Sequence, residues 1–159
     1  MLLSLSGRDL IGIANTGSGK TLLYLLPALM MCIYEEKRAK VGRYEGPFAV
    51  ILVPSRELAI QIFEVLNYYI SFILKFGYPL INSVICIGGV DIRNQIEDIQ
   101  NGVHIVIATP GRLSDLLEKK KIDVKMCKFL VLDEADRLFD MGFDDEIKKV
   151  LDKFKVIMH

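Results

Sequence analysis

Short apolar runs typical of β-strands alternate with longer helical stretches along the whole chain. The strand candidates are DLIGIA, FAVILV (Phe48–Val53), SVICI, HIVIA and FLVLD, and KVIMH looks like the opening of one more. The helical candidates are the segment after the first strand through about Glu36, RELAIQIFEVLNYYISFIL, IRNQIEDIQ, RLSDLLEK and DDEIKKVLDKF. In these segments apolar residues recur at helical spacing. Five or six strands separated by helices predict an α/β fold with a parallel sheet and helices on both faces.

The composition limits the class of protein. A chain of 159 residues, 52% hydrophobic and 25% charged, is long enough for one globular domain with a substantial core. Twenty basic residues balance twenty acidic ones, so any nucleic-acid site must be local. The three cysteines lack a C-x-x-C spacing, which favours reduced thiols in an intracellular protein. The longest apolar run, LLYLLPALMMCIY, is too short for a membrane span and contains Pro27, so we expect a buried helix and no membrane partner.

The stretch GIANTGSGKT, Gly12 to Thr21, has the features of a phosphate-binding loop. Its end fits the pattern G-x-x-x-x-G-K-[ST], but Ala14 stands where the first glycine is expected. Backbone N–H groups of such a turn can point at phosphate oxygens, and the helix that follows adds its positive end. Lys20 would reach the β- and γ-phosphates, and the Thr21 hydroxyl would bind Mg²⁺. Taken alone, the stretch could also be an ordinary turn.

Each of the other strands is also followed by an unusual polar or glycine-rich cluster. These clusters are PSRELA (Pro54–Ala59), GG (Gly88 and Gly89), TPGR (Thr109–Arg112) and DEAD (Asp133–Asp136). Each one alone is typical of a helix start or a turn. In an open parallel sheet, however, ligands bind beyond the carboxyl ends of the strands, so the clusters together predict one composite site.

The run FLVLD followed by Glu134 matches the strand that supplies a metal ligand in nucleotide hydrolases. A rigid buried strand would aim the Asp133 carboxylate at Mg²⁺. Glu134 next to it could orient or deprotonate an attacking water.

In this order, the motifs Ala14-x-Thr16-Gly-x-Gly-Lys-Thr, PSRELA, GG, TPGR and DEAD resemble those of the DEAD-box RNA helicases. In that family the phosphate loop commonly starts with Ala. The stretches SGRDLIGIA, CIGG, NGVHIVIATPGRL and DMGF look most like the Abstrakt-type branch. The resemblance implies a RecA-like three-layer α/β/α fold with a mostly parallel central sheet. Residues 1–159 would be the first RecA-like domain, truncated at both ends and without the second one.

The resemblance also assigns roles to matching positions. ATP would be held by Ala14, Asn15, Thr16, Gly17, Ser18, Gly19, Lys20 and Thr21. Lys20, Asp133 and Glu134 would be catalytic, Thr21 and Asp133 would hold Mg²⁺, and Asp136 would couple the nucleotide site to the other motifs.

RNA contacts are implied at Pro54, Ser55, Arg56, Gly88, Gly89, Thr109, Gly111 and Arg112. The chemistry of these residues suits a phosphate backbone, because arginines bind phosphate, hydroxyls donate, and glycines let backbone amides approach closely. Binding through such contacts should be sequence-tolerant. Ser55 replaces the more frequent Thr of that motif and keeps the hydroxyl.

For the whole protein, the resemblance implies an ATP-dependent RNA helicase that acts in RNA processing, with spliceosomal or other ribonucleoprotein partners, in the nucleus rather than the cytoplasm. The family's adenine-reading segment, its S-A-T motif and the second domain with its arginine finger do not match any part of this sequence. We therefore expect the 159-residue chain alone to hydrolyse almost no ATP.

Two other functions fit parts of the pattern: a P-loop ATPase that acts on DNA or on a small phosphate acceptor, and a noncatalytic RNA-binding or interaction module. TPGR and PSREL argue against the first, and Lys20, Asp133 and Glu134 argue against the second. The charged stretches EEKRAKVGRYEGP and EKKKIDVK are interpreted as solvated loops, with an RNA-binding arm as the alternative for the first.

Overall fold

The computed structural model describes residues 9–13 and 19–155. Within these ranges the elements follow one another as α1 (Lys20–Arg38), β1 (Ala49–Leu52), α2 (Arg56–Lys75), β2 (Ser83–Cys86), α3 (Ile92–Gln100), β3 (Ile105–Ala108), α4 (Pro110–Glu118), β4 (Phe129–Leu132), α5 (Ala135–Asp140) and α6 (Asp144–Lys155). The predicted alternation of strands and helices is therefore confirmed for most of the chain.

The four strands form one parallel sheet in the order β2-β3-β1-β4. Their first residues are in register, since Ala49 pairs with both Ile105 and Phe129, and Ile105 also pairs with Ser83. All four strands have the same length, so their carboxyl ends are level as well. The segments that follow the strands consequently emerge along one edge of the sheet, as the sequence predicts.

Helices cover both faces of the sheet and give three layers. On one face, Ala49 and Ile51 belong to a core cluster that α1 and α2 cover. On the opposite face, Val50 and Leu52 belong to a cluster that α3, α4 and α6 cover. Every residue of β1 and β3 is buried, as expected for central strands of a parallel sheet.

The helix α2 is long and apolar enough to cross a membrane, judged by length and composition. Core helices share this property, and the buried residues of α2 pack against the sheet: Ala59, Ile62, Leu66 and Ile70.

Helix starts follow local capping chemistry. The Ser55 hydroxyl accepts a hydrogen bond from the backbone N–H of Leu58 at 3.2 Å and caps α2. Pro110 is the first residue of α4, a position where its missing N–H costs nothing. The α4 helix therefore begins two residues before the predicted RLSDLLEK. In both places a motif residue also starts a helix, so the capping and ligand-binding interpretations of PSREL and TPGR are compatible.

Three predictions about elements need correction. The run DLIGIA is not a strand over Asp9–Ile13, where Ile11 and Ile13 are 91% and 96% exposed, and the described residues contain four strands rather than five or six. An apolar run becomes a strand only where a neighbouring strand takes up its backbone hydrogen bonds, and none of the described strands does so here. The short helix α5 was not predicted, because six residues are too few for a clear period. Of KVIMH, Lys155 ends α6 and the remainder lies outside the described residues.

All three cysteines are free thiols, and Cys32 and Cys86 are buried. Burial raises the pKa of the Cys86 thiol to about 12. The protonated form is therefore the stable one at neutral pH, which agrees with the predicted reduced thiols.

His104 connects the end of α1 to the sheet through hydrogen bonds of both ring nitrogens. The backbone N–H of Asn82 donates to its Nδ1 at 3.0 Å, so the neutral ring carries its proton on Nε2. That Nε2–H donates to Oε2 of Glu36 at 3.0 Å, and the same oxygen accepts from the backbone N–H of Val41 at 2.8 Å. His104 is 2% exposed. This contact thus joins α1, the segment before β2 and the start of β3 in a region that excludes water.

We expect His104→Phe to lower the free energy of unfolding by about 2–3 kcal/mol, because the buried Asn82 N–H and the Glu36 carboxylate both lose a partner while the ring volume stays. Glu36→Gln is the matched control. Its amide oxygen can still accept from Nε2 and from Val41, so its loss should stay below about 1 kcal/mol. Urea unfolding measures both values. Equal losses would contradict the assigned tautomer.

Candidate functional site

Three of the predicted motif loops line one open groove at the carboxyl edge of the sheet, here called the motif groove. Its lining residues are Pro54, Ser55, Arg56, Glu57, Gly88, Thr109, Gly111, Arg112, Asp115, Met141 and Phe143. The first loop follows β1, the second follows β2 and the third follows β3. The level strand ends therefore bring together residues that are far apart in sequence.

Arg56 lies directly against the Gly88–Gly89 turn. A Cβ atom on Gly89 would collide with Nη1 of Arg56, and Gly89 has a φ of 77°, which non-glycine residues rarely adopt. A Cβ on Gly88 would lie 3.4 Å from Nη2 of the same side chain. The φ of Gly89 thus favours glycine at this position, and the turn contacts the Arg56 guanidinium at the groove.

Arg112 is held in place by a buried glutamine. Its Nη1 donates to Oε1 of Gln95 at 3.0 Å, and both Nη atoms donate to the carbonyl oxygen of Val90 at 3.3 Å. The Gln95 side chain is 4% exposed, and its Nε2 donates to the carbonyl oxygen of Ile87 at 3.1 Å. An arginine has five N–H donors, so these described contacts leave two for a ligand.

The charge of the motif groove is mixed. Arg56 and Arg112 are balanced by Glu57 and Asp115, and Lys119 pairs with the Asp115 carboxylate at 2.7 Å. Apolar surface is added by Met141, which is 52% exposed. A groove with two arginines and two acids suits a few specific phosphate contacts and lacks a strong general attraction for polyanions.

A second group of functional side chains, here called the carboxylate cluster, joins α1 to the end of β4. It consists of Thr21, Tyr24, Asp133 and Glu134. The Tyr24 hydroxyl donates to Oδ2 of Asp133 at 2.7 Å and also interacts with the Thr21 side chain. The other carboxylate oxygen of Asp133 accepts from the backbone N–H of Glu134 at 3.0 Å. The first turn of α1 is therefore bonded to the carboxylate that ends β4.

The Tyr24 hydroxyl stays protonated and therefore remains a hydrogen-bond donor in this cluster. Burial raises the pKa of its hydroxyl far above the ordinary value, and the neighbouring Asp133 carboxylate raises it further. The phenol thus keeps its proton over the whole physiological range, and the donor role towards Asp133 does not depend on pH.

Glu134 has an unusual backbone conformation. Its φ of 50° and ψ of 49° lie in the left-handed region, which costs a non-glycine residue on the order of 1 kcal/mol or more. Its carboxylate accepts a hydrogen bond from Nη1 of Arg137 at 2.6 Å. Such strain occurs preferentially at functional sites. Asp136, two residues on, is exposed in the first turn of α5.

The first turn of α1 is suited to bind an anion. Gly19 caps it with a φ of 82° and without a side-chain hydrogen bond, and the turn contains no acidic residue. The free N–H groups of such a turn and the helix dipole favour negative charge, and Lys20 adds a cation. The other predicted phosphate-loop residues, Ala14, Asn15, Thr16, Gly17 and Ser18, lie outside the described residues.

Mg²⁺ prefers hard oxygen ligands. The Tyr24 hydroxyl donates to the Asp133 carboxylate and lies near the Thr21 side chain, so the two predicted ligands are in the same part of the structure. This donor set fits the ion.

Two residues that position functional side chains escaped prediction from sequence. Tyr24 sits within a long apolar run, and the only signal for it is a polar group that a buried helix must satisfy. Gln95 occupies an inward-facing position of α3, where a polar residue needs an internal partner.

Comparison with known proteins places this geometry in a family. The sequence model of the DEAD/DEAH box helicase family matches residues 1–159. The DEAD-box ATP-dependent RNA helicase 35 of Arabidopsis thaliana is 52% identical over 151 residues, which are 95% of this chain and 26% of that protein. The ATP-dependent RNA helicase abstrakt of Drosophila melanogaster is 46% identical over 151 residues, 95% of this chain and 24% of its own length. The chain thus spans about a quarter of the length of these relatives.

Solved structures agree. The yeast DEAD-box splicing factor Prp28 superimposes with a TM-score of 0.83 at 35% identity, over 94% of this chain and 33% of that one. A hypothetical ATP-dependent RNA helicase from Sulfolobus tokodaii gives a TM-score of 0.78 at 32% identity, over 96% of this chain and 40% of that one. The likeness confirms the RecA-like three-layer α/β/α fold, and the chain belongs to the DEAD/DEAH box helicase family.

Proposed function

We propose that residues 1–159 form the first RecA-like domain of an ATP-dependent RNA helicase, which binds ATP and the RNA backbone and couples the two. The observation that carries the proposal is the level register of the strands. It places the motif groove and Asp133 along one edge of a single rigid sheet.

ATP is the proposed ligand of the α1 end. Its phosphates would lie against the first turn of α1 and near Lys20, completed by the loop Ala14–Ser18. Thr21 and Asp133 would hold Mg²⁺, which neutralises charge on the phosphates when bound. Glu134 would accept a proton from a water whose oxygen attacks the γ-phosphorus, while the bond to the β-γ bridging oxygen breaks. Arg137 bonds to Oε2 of Glu134, so Oε1 is the oxygen proposed to serve the water.

RNA is the proposed ligand of the motif groove. Arg56 and the two remaining donors of Arg112 suit phosphate oxygens, and the Ser55 and Thr109 hydroxyls and the Gly111 amide can add neutral contacts. Because none of these groups is committed to a base edge, we propose sequence-tolerant binding. Asp136 is the proposed link between this groove and the nucleotide.

In the whole protein, we propose that a second RecA-like domain supplies an arginine to the γ-phosphate, which is worth roughly 10³–10⁵ in rate. The lobe by itself would bind ATP without rapid turnover. The similar yeast protein Prp28 is a splicing factor, which supports, for this protein too, a nuclear ribonucleoprotein setting with spliceosomal partners.

The RNA half of the proposal predicts that Arg112→Gln weakens binding of single-stranded RNA about tenfold, because one charged phosphate contact is lost. Gln95→Leu should weaken binding in the otherwise unchanged chain and have almost no further effect in the Arg112→Gln background, since Gln95 acts through that guanidinium. Fluorescence anisotropy measures all four affinities.

Lys153→Gln, on the exposed face of α6, is the charge-matched control and should leave RNA affinity unchanged within a factor of about two. Full additivity of the Gln95 and Arg112 effects would contradict the positioning role of Gln95. Unchanged affinity in every variant would contradict RNA binding at the motif groove.

The nucleotide half predicts that Mg²⁺ tightens ADP binding to the chain, and that Asp133→Asn removes about tenfold of this gain because a neutral amide is a poor Mg²⁺ ligand. Glu134→Gln should keep the gain, because its proposed role concerns water. Isothermal titration with and without Mg²⁺ tests both variants.

Asp140→Asn serves as the control, because it removes an exposed carboxylate at the end of α5, the helix that follows Asp133 and Glu134. If it reduced the Mg²⁺ effect as much as Asp133→Asn does, the effect would reflect general charge and the assigned metal site would be wrong.

A further inference from the structure

A second surface that combines cations with exposed aromatic rings lies at the opposite edge of the sheet. It is here called the amino-edge patch. Its residues are Tyr34, Lys37, Arg38, Arg43, Tyr44 and Tyr78. They lie at the end of α1, in the connection to β1 and in the connection from α2 to β2. Those segments precede the strands, whereas the motif groove follows them.

The patch consists of three pairs, each with one cation and one tyrosine ring. Nζ of Lys37 lies 5.0 Å from the ring centre of Tyr78. Cζ of Arg38 lies 5.4 Å from that of Tyr34, and Cζ of Arg43 lies 5.6 Å from that of Tyr44. The rings remain open to solvent, with exposures of 59% for Tyr34, 69% for Tyr44 and 44% for Tyr78.

The acids of the same stretch point inward. Glu36 bonds to His104 and is 12% exposed. Glu35 is 14% exposed and pairs with Lys128 at 2.8 Å, and more distantly with Arg38 of the patch at 4.0 Å. Lys37, Arg38, Lys40 and Arg43 are all exposed. The one exposed acid, Glu45, accepts from the backbone N–H of Gly42. The stretch EEKRAKVGRYE has nearly equal numbers of acids and cations. Because most of its acids are covered and its cations are exposed, its surface is locally cationic.

The connection that carries the patch is an exposed loop, as expected from sequence, and its backbone is anchored by hydrogen bonds. The backbone N–H of Tyr44 donates to the carbonyl oxygen of Gln100 at 2.9 Å, and that of Val103 donates to Glu45 at 3.2 Å. A Cβ on Gly46 would collide with the carbonyl oxygen of Val103. These contacts fix the backbone of the connection to the segment between α3 and β3, so the positions of Arg43 and Tyr44 are set before any ligand binds.

Tyr44 is the most unusual member of the patch. Its φ of 66° lies in the left-handed region, where a bulky non-glycine residue is an outlier. An exposed ring gains little from burial that could offset this strain. The conformation is instead imposed by the backbone contacts on either side, and strained residues of this kind cluster at ligand sites.

We propose that the amino-edge patch is a second binding site for single-stranded RNA, separate from the motif groove. Bases would stack on the tyrosine rings, and the phosphates between them would contact the lysine and arginine groups. Each pair offers a ring for a base and a cation for a phosphate, whereas an acidic protein segment would require the cations alone. The inference rests on the proposed RNA-binding function and extends it to the other edge of the sheet.

A strand that engages both edges would bind more tightly than one that reaches a single edge, because the second contact becomes intramolecular. Long RNA should therefore be more sensitive to changes in the patch than RNA that is too short to leave the motif groove.

The test is binding of the 159-residue chain to oligouridylates of about 6 and about 30 nucleotides. The stacking variant is Tyr34→Leu with Tyr44→Leu and Tyr78→Leu, and the charge variant is Arg38→Gln with Arg43→Gln. The control is Lys120→Gln with Lys121→Gln, which removes two exposed charges from the segment before β4, where no ring contact is described. The single variant Tyr34→Leu, at a regular helical position, is included in case the triple variant folds poorly.

We expect the stacking variant to lose at least about tenfold in affinity for the long RNA, the single variant to lose about threefold, and the control to lose less than twofold. Photocrosslinking with 4-thiouridine in the long RNA should label peptides that contain Tyr34, Tyr44 or Tyr78.

Unchanged long-RNA affinity in the stacking and single variants, with crosslinks only at the motif groove, would overturn the inference and leave the proposed function intact. Loss in the charge variant alone, together with competition by polyglutamate, would overturn it in favour of an acidic protein partner. The proposed function itself would fail if Arg112→Gln had no effect, and that result is independent of the patch variants.

Discussion

The backbone hydrogen-bond ladder between the parallel strands determines where every proposed functional side chain lies. Each strand has only four residues, and all four begin in the same register. A slip of one residue would turn the buried side chains of a strand to the other face and move the loop after it by about 3.3 Å. Buried residues on both faces of β1 and β3 make such a slip costly. The core thus fixes the motif groove without contributing any ligand contact.

Helix α1 carries the proposed phosphate contacts and is fastened to the sheet near both of its ends. Near its start, the Tyr24 hydroxyl bonds to Asp133 at the carboxyl end of β4. Near its end, Glu36 bonds to His104 at the amino end of β3. The helix is continuous between these two points, with Pro27 inside it. It therefore connects the proposed nucleotide end of α1 to the amino edge of the sheet, where the patch of rings and cations lies.

Sequence alone predicted the features that depend on local pattern. The apolar runs that became β1 and β3, the long α2, and the convergence of Arg56, Gly89 and Arg112 follow from periodicity and from the geometry of parallel sheets. It did not predict contacts between distant residues, such as that of Tyr24 with Asp133 across 109 positions. The strand predicted over Asp9–Ile13 was also wrong. Apolar character favours a strand, but a strand forms only where a neighbouring strand pairs with it. The sequence pattern favours particular helices and strands, but which strands pair depends on the whole chain.

Two of the three carboxylates of the DEAD motif, Asp133 and Glu134, already accept hydrogen bonds within the described residues. Asp133 accepts from Tyr24, while Glu134 accepts from Arg137 in a strained backbone conformation. An ionised carboxylate has about four lone-pair sites, so both groups can still accept from a metal ion or a water beside these partners. The strain at Glu134 lowers the cost of rearranging it, because a change of backbone conformation there releases energy. Under the proposed function, this strain would allow the Glu134 carboxylate to change position when the nucleotide binds.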